Sequence, residues 1–149
     1  MTRILSLDDD PEMLELTRMV IEYSGYESIT TSNSRAALDI LRTQPVDLLT
    51  QDMLRPDIDG ETLCKIIHAD EGLRRSPILI ISAFSEGGKR MVNAGHADAY
   101  LSKPWSPIEM LDALENVLQK RSILLAPEET RNLARQRWKR KGMSPPPSR

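Results

Sequence analysis

Four short, mainly apolar runs, at residues 4–7, 46–50, 78–81 and 99–101, and a weaker strand at 28–31 alternate with segments whose apolar residues recur at helical spacing. This alternation constrains the fold more than any other feature of the chain. Strand–helix repeats of this kind require right-handed crossovers and give a parallel sheet covered by helices on both faces. The runs are mostly continuous, as expected of strands buried on both sides. The helical segments carry their own punctuation. Pro11 stands in the first turn of the first helix, Glu12 and Glu15 suit its positive end, and Gly25 closes it after Met13, Leu14, Leu16, Val20 and Ile21. Ser34 is the expected cap of the second helix, where Ala37, Ile40 and Leu41 share a face and Pro45 ends the pattern. Leu63, Ile66 and Ile67 mark a third helix, after a loop holding Pro56 and Gly60. Residues 85–93, with Gly87 and Gly88 inside, make a short fourth. Pro107 opens the last, with Ile108, Leu111, Leu114 and Leu118 on one side.

A chain of 149 residues that is 40% apolar and 28% charged is about one globular domain, which excludes collagen-like, wholly disordered and disulfide-scaffold readings. Cys64 is the single cysteine, so no internal disulfide can form and a reducing compartment is expected. No apolar run approaches the roughly 18 residues of a membrane span. Met1-Thr2-Arg3 leads straight into the first strand, without the apolar stretch of a signal peptide, so a cytoplasmic protein with no membrane partner is expected.

The net charge of −2 conceals an asymmetry. Residues 1–118 carry 11 Lys and Arg against 20 Asp and Glu, while residues 119–149 carry 9 against 2. The expected division is a folded domain at 1–121 and a basic tail at 122–149. Pro127-Glu128-Glu129 starts a helix over 127–141 within that tail, and the proline-rich end reads as disordered. The acidic body argues against nucleic acid as a partner, except weakly through the tail. The tail is too short for a winged-helix or helix-turn-helix domain.

In open parallel sheets, ligands sit outside the carboxyl ends of the strands. Those ends hold Asp8, Asp9 and Asp10 after the first strand, Asp52 after the third, Ser82 after the fourth and Lys103 after the fifth. Clustered carboxylates repel unless a cation joins them. A hard divalent ion answers this, and Mg²⁺ fits because it takes a few carboxylates and completes its shell with water and phosphate oxygens. A carboxylate beside such an ion can act as a nucleophile and form an aspartyl phosphate. Lys103 and Ser82 supply the charge and the hydrogen bond that phosphoryl transfer needs.

Four stretches of the chain, in order, resemble the receiver domain of two-component response regulators. They are Ile4-Leu5-Ser6-Leu7-Asp8-Asp9-Asp10-Pro11, Asp52-Met53-Leu54-Arg55-Pro56-Asp57-Ile58-Asp59-Gly60, Pro77-Ile78-Leu79-Ile80-Ile81-Ser82-Ala83, and Ala97-Asp98-Ala99-Tyr100-Leu101-Ser102-Lys103-Pro104. The resemblance covers about residues 3–121. It implies an α/β, flavodoxin-like doubly wound fold with five parallel strands in the order 2-1-3-4-5 and helices on both faces. It also implies a stand-alone phosphorylation switch rather than an enzyme. Asp52 would accept a phosphoryl group from a histidine kinase or histidine phosphotransfer protein. Asp8, Asp9, Asp52 and the backbone carbonyl of Leu54 would hold Mg²⁺. Ser82 would bond a phosphoryl oxygen, and Lys103 would pair with Asp52 and then with the phosphate. Lys103–Pro104 matches the family's cis peptide. Tyr100 takes the aromatic position that turns inward when Ser82 moves. The face built by the fourth helix, fifth strand and fifth helix would then meet a downstream protein.

The chain also departs from the family. The span from Ser82 to Lys103 is one residue short, His96 replaces a usual glycine, and Gly87-Gly88 weakens the fourth helix. Leu54 and Phe84 are apolar where polar family residues orient the hydrolytic water, which implies slow self-dephosphorylation. Other residues have plainer readings. Asp10 is a helix cap or a further carboxylate behind the metal. Asp57 and Asp59 are turn and cap residues. Cys64 is core. His68 and His96 are surface histidines, Trp105 packs, and Met13, Met19, Met53, Met91 and Met110 fill gaps. The rival readings are a pseudo-receiver that binds without phosphate, an Asp-nucleophile phosphohydrolase using Asp8 and Asp10, and a DNA-binding regulator acting through the tail.

Overall fold

The computed structural model describes residues 2–73 and 76–125. Strands β1 (Arg3–Leu7), β2 (Glu27–Thr31), β3 (Leu48–Gln51), β4 (Ile78–Ser82) and β5 (Ala99–Ser102) form one sheet in the order β2-β1-β3-β4-β5. Every pairing is parallel, with Leu5 opposite Ile29 and Leu49, and Ile80 opposite Gln51 and Tyr100. Helices α1 (Pro11–Tyr23), α2 (Ser34–Thr43), α3 (Gly60–Ala69), α4 (Ser85–Asn93) and α5 (Pro107–Leu125) alternate with the strands. The expected fold class and strand order are both found.

The continuous apolar runs feed two cores at once. Successive strand residues point to opposite faces. Leu5, Leu7, Leu49, Ile78 and Ile80 join Leu63, Cys64 and Ile67 of α3 and Leu38 and Leu41 of α2 in one cluster. Ile4, Leu48, Leu79 and Ile81 join Ile21 of α1 and Met110, Leu114 and Val117 of α5 in the other. Each fully buried Leu or Ile contributes roughly 1.5–3 kcal/mol, so β4, apolar on both faces, is a major anchor of the sheet.

Three local expectations are corrected. The cap of α2 is Asn33, whose side chain accepts from the Ala36 amide at 2.9 Å; Ser34 is already helical and buried. Asn33 is extended, at φ −114°, the backbone form from which a short polar side chain reaches back to the first turn. The strand expected at 46–50 starts later and ends later, at Leu48–Gln51. The buried face of α5 is Met110, Leu114 and Val117, with Leu118 packed beside it, while Ile108 is 72% exposed. The choice among neighbouring apolar positions was made by the helix's rotation against α1 and the sheet.

Helix α5 runs past the boundary expected at 121, to Leu125. The expected helix at 127–141 and the disordered end lie outside the described residues. No helix among the described residues is long and apolar enough to cross a membrane.

Candidate functional site

The sheet order brings the carboxyl ends of β1, β3, β4 and β5 side by side, and main-chain hydrogen bonds carry the pairing one step past the strands. The Asp52 amide donates to the Leu7 carbonyl at 3.2 Å, and the Lys103 amide to the Ser82 carbonyl at 3.1 Å. Asp8, Asp52 and Lys103 are thereby aimed into one crevice. The Lys103 ammonium donates to Asp8 Oδ2 at 2.8 Å and to Asp52 Oδ2 at 3.1 Å. Their side chains are only 15%, 10% and 12% exposed for Lys103, Asp8 and Asp52. Burial works to lower the Lys103 pKa, but its hydrogen bonds to Asp8 and Asp52 outweigh that and hold it above the ordinary lysine value. The remaining carboxylate oxygens are held by the turns that follow. Asp8 Oδ1 accepts from the Asp10 amide at 3.0 Å, and Asp52 Oδ1 from the Leu54 amide at 3.4 Å.

Asp8, Asp9 and Asp52 each offer a carboxylate oxygen within 4.8 Å of the others, the one cluster of three or more such ligating residues among the described residues. An all-oxygen set of this size suits a hard divalent cation that keeps part of its water, so the donors fit Mg²⁺. A cavity of about 10 Å³, room for roughly one water, lies beneath the carboxylates against Ser6, Thr17, Thr50 and Gln51.

Ser82 is fully buried, and its hydroxyl oxygen accepts from the Phe84 amide at 3.1 Å. The Tyr100 hydroxyl donates to the Ser82 carbonyl at 3.1 Å, so the aromatic ring lies across the end of β4. The ring rests on α4. A Cβ at Gly88 would stand 2.1 Å from the Tyr100 ring, and one at Gly87 would stand 2.7 Å from the Phe84 ring. The adjacent glycines thus do more than weaken a helix, because they make seats for two aromatic rings. Two glycines within a short helix, near a Phe and a Tyr, are the sequence signal for such seats, but the pairing needs the fold. The Lys103–Pro104 peptide is cis.

The plainer residues also find their places. Asp10 caps α1, accepting from the Glu12 and Met13 amides at 3.0 and 3.4 Å. Asp59 caps α3 through the Thr62 amide at 2.9 Å. Asp57 accepts from the Ser34 amide at 2.8 Å. Cys64 is buried, with Gln51 Nε2 donating to its Sγ at 2.7 Å, and burial pushes its thiol up to about 12, which leaves it unreactive. Trp105 packs against the α1–α5 core. Met53, Met91 and Met110 are buried as expected, whereas Met19 stands half-exposed on α1.

Two features escaped the sequence reading. His68 and His96, 28 positions apart, have ring centroids 5.0 Å from each other. Arg55 is buried, although its neighbours Leu54 and Pro56 are exposed. Neither pairing nor burial of this kind leaves a periodic trace.

Comparison with known proteins yields a consistent group. The family model for the response regulator receiver domain matches residues 4–115. The polar-differentiation response regulator DivK of Brucella ovis is 33% identical over 120 residues, covering 79% of this chain and 98% of that protein. A CheY-like response regulator receiver domain protein from Methanospirillum hungatei superposes with a TM-score of 0.74 at 27% identity, over 82% of this chain and 97% of its own. The response regulator TrrA from Thermotoga maritima, solved in complex with Mg²⁺-BeF, gives 0.71 at 27% identity, over 79% and 100%.

Proposed function

The chain belongs to the receiver-domain family of response regulators, and on that premise we propose that Asp52 is the residue it uses to accept a phosphoryl group. The family is a phosphorylation switch in two-component signalling. The observation that carries the assignment is the bridge from Lys103 to Asp8 and Asp52, which joins three strand ends into one charged centre. Asp8, Asp9, Asp52 and the Leu54 carbonyl would hold Mg²⁺, as their oxygen donors suit. When bound, that ion would supply positive charge to the oxygens of the incoming phosphoryl group.

The donor in this reading is a phosphohistidine on a kinase or phosphotransfer protein, and the cytoplasm is the compartment it implies. Asp52 forms the new oxygen–phosphorus bond as the nitrogen–phosphorus bond breaks, and the departing imidazole keeps the electron pair. Lys103 neutralises Asp52 before transfer and the phosphoryl group after it. Ser82, turning its hydroxyl from the Phe84 amide to the phosphoryl group, gives up the bond it now accepts and draws the Ala83–Phe84 connection with it. Tyr100, bonded to the Ser82 carbonyl and seated on Gly88, carries that change to α4, β5 and α5. A downstream protein would read that face. Leu54 and Phe84 offer no hydrogen bond to a hydrolytic water, so the phosphorylated state is long-lived.

Intact-mass analysis after incubation with Mg²⁺ and acetyl phosphate tests the reading. The expected result is a gain of one phosphoryl group that needs Mg²⁺ and is absent in Asp52→Asn. A wild-type protein that neither gains the group nor binds a beryllofluoride analogue would overturn it in favour of a pseudo-receiver. A phosphoryl half-life of seconds would overturn the slow-dephosphorylation part alone. The phosphohydrolase reading has less support, because Asp10 is engaged as the cap of α1.

A further inference from the structure

Arg55 carries a charge that the reading above does not use. Its side chain is 0% exposed, and arginine is almost never fully buried unless paired. It lies next to Leu54 in the connection between β3 and α3. One terminal nitrogen donates to the main-chain carbonyl of Asp52, and the other to that of Ile58 at 2.8 Å. Its Nε lies 3.7 Å from Asp57 Oδ1, while Asp57 Oδ2 accepts from the first amide of α2. The guanidinium thus spans both ends of the turn that contains Leu54 and ties it to a neighbouring helix. A second bond, from the Gly60 amide to the Met53 carbonyl at 2.7 Å, closes the same turn from outside. Burial lowers the Arg55 pKa, against the nearby charges of Asp57, Asp52 and Asp8, but a guanidinium stays charged in proteins.

We infer that Arg55 is a positioning residue for divalent-cation binding at Asp8, Asp9 and Asp52. Its two-carbonyl grip presets the main chain of Asp52 and the turn bearing Leu54. The inference rests on the proposed function only for the role of the Leu54 carbonyl. Charge and geometry pull in opposite directions here. Removing a buried positive charge beside a metal site strengthens cation binding, whereas loosening the turn weakens it. Geometry wins in this inference, because the grip is bidentate and a lysine, with one point charge, cannot reproduce it.

The test is calorimetric titration of the full chain with MgCl₂ alone, for wild type, Arg55→Lys and Arg55→Met. Urea unfolding without Mg²⁺ establishes that each variant is folded. The Mg²⁺ dissociation constant is expected to rise about tenfold in both variants, the range found when a residue that orients metal ligands is lost. Either variant binding Mg²⁺ as tightly as wild type, or more tightly, overturns the inference and leaves Arg55 a filler or a mere charge. If Arg55→Met does not fold, Arg55→Lys alone decides. A wild type that binds no Mg²⁺ at millimolar concentration also overturns it. A wild type that binds Mg²⁺ but accepts no phosphoryl group overturns the proposed function instead, and the comparison of the variants still stands.

Discussion

The crevice is built from two unlike halves. On the side of β1 and β3, each flanking helix begins with a side chain that caps it: Asp10 for α1, Asn33 for α2 and Asp59 for α3. The strands there are largely buried, and the carboxylates emerge from turns closed by their own hydrogen bonds. On the side of β5, α4 follows Phe84 with no side-chain cap, contains two glycines, and rests on an edge strand that is only half-buried. Lys103 crosses from the second half to the first. The contrast is what a switch requires. The half that holds charge must not move, since a small displacement of ligands costs binding. The half that reports the charge must have a second arrangement within a few kcal/mol. In the proposed switch, capping and double-faced burial would supply the first property, and a helix with two glycines, no side-chain cap and aromatic rings against it would supply the second.

Lys103→Met cuts the link between the halves and carries the largest expected effect. It leaves Asp8 and Asp52 facing each other without a cation, at a cost of roughly 3 kcal/mol in urea unfolding, part of which added Mg²⁺ restores. The pH sign follows from the raised Lys103 value. Its stabilisation is complete below the ordinary lysine value of 10.5 and is lost as pH rises through the higher folded value. The gap between wild type and variant therefore closes in alkali. A gap that stays constant to high pH would show that the lysine's charge is not its source.

Next comes Gly88→Ala. On an open helix this change stabilises by about 1 kcal/mol. Against the Tyr100 ring it is expected to destabilise by roughly 1–3 kcal/mol, as overpacking does. Pairing it with Tyr100→Ala, which removes the ring, should return the favourable sign in a double-mutant cycle. Additive single changes in that cycle would break the claim that Gly88 is a seat.

On the rigid side, Asp59→Ala removes a cap and is expected to cost about 1 kcal/mol. The smallest effect is in acid. Hydrogen bonds from Thr62 lower the Asp59 carboxyl, and at Asp57 the bonds from Ser34 and Ile58 with the Arg55 charge outweigh a raising effect of burial. Their contribution is present above the ordinary aspartate value of 3.8 and fades as pH falls through the lower folded values. The double Asn variant should therefore lose less stability than wild type on acidification below that point, in thermal melts at stepped pH. An identical decline would remove these two residues from the account.

Much of both halves was legible in the chain. Continuous apolar runs between helical patterns announced a parallel sheet buried on two faces, and the polar residue ending each run marked the crevice. That holds because burial acts on every strand residue and period is a local property. Where the decision was between neighbours, local signals were weaker. Ser34 and Asn33 are both good caps; in the fold Asn33 caps the Ala36 amide while Asp57, 23 positions away, takes the Ser34 amide. Ile108 and Met110 are both apolar, and only the rotation of α5 against the sheet exposes one and buries the other.

The sequence by itself determined the element order and the doubly covered sheet, and it set Asp8, Asp9, Asp10, Asp52, Ser82 and Lys103 at the carboxyl ends of the strands. Hydrophobic periodicity, together with the rule that sheet ligands sit at strand carboxyl ends, is written in consecutive residues. Only the tertiary structure decided that Lys103 reaches Asp8 as well as Asp52, that Gly87 and Gly88 seat Phe84 and Tyr100, and that Arg55 is buried under its own turn. Each of these depends on the distance between groups the chain brings together only by folding, and such distances have no period to read.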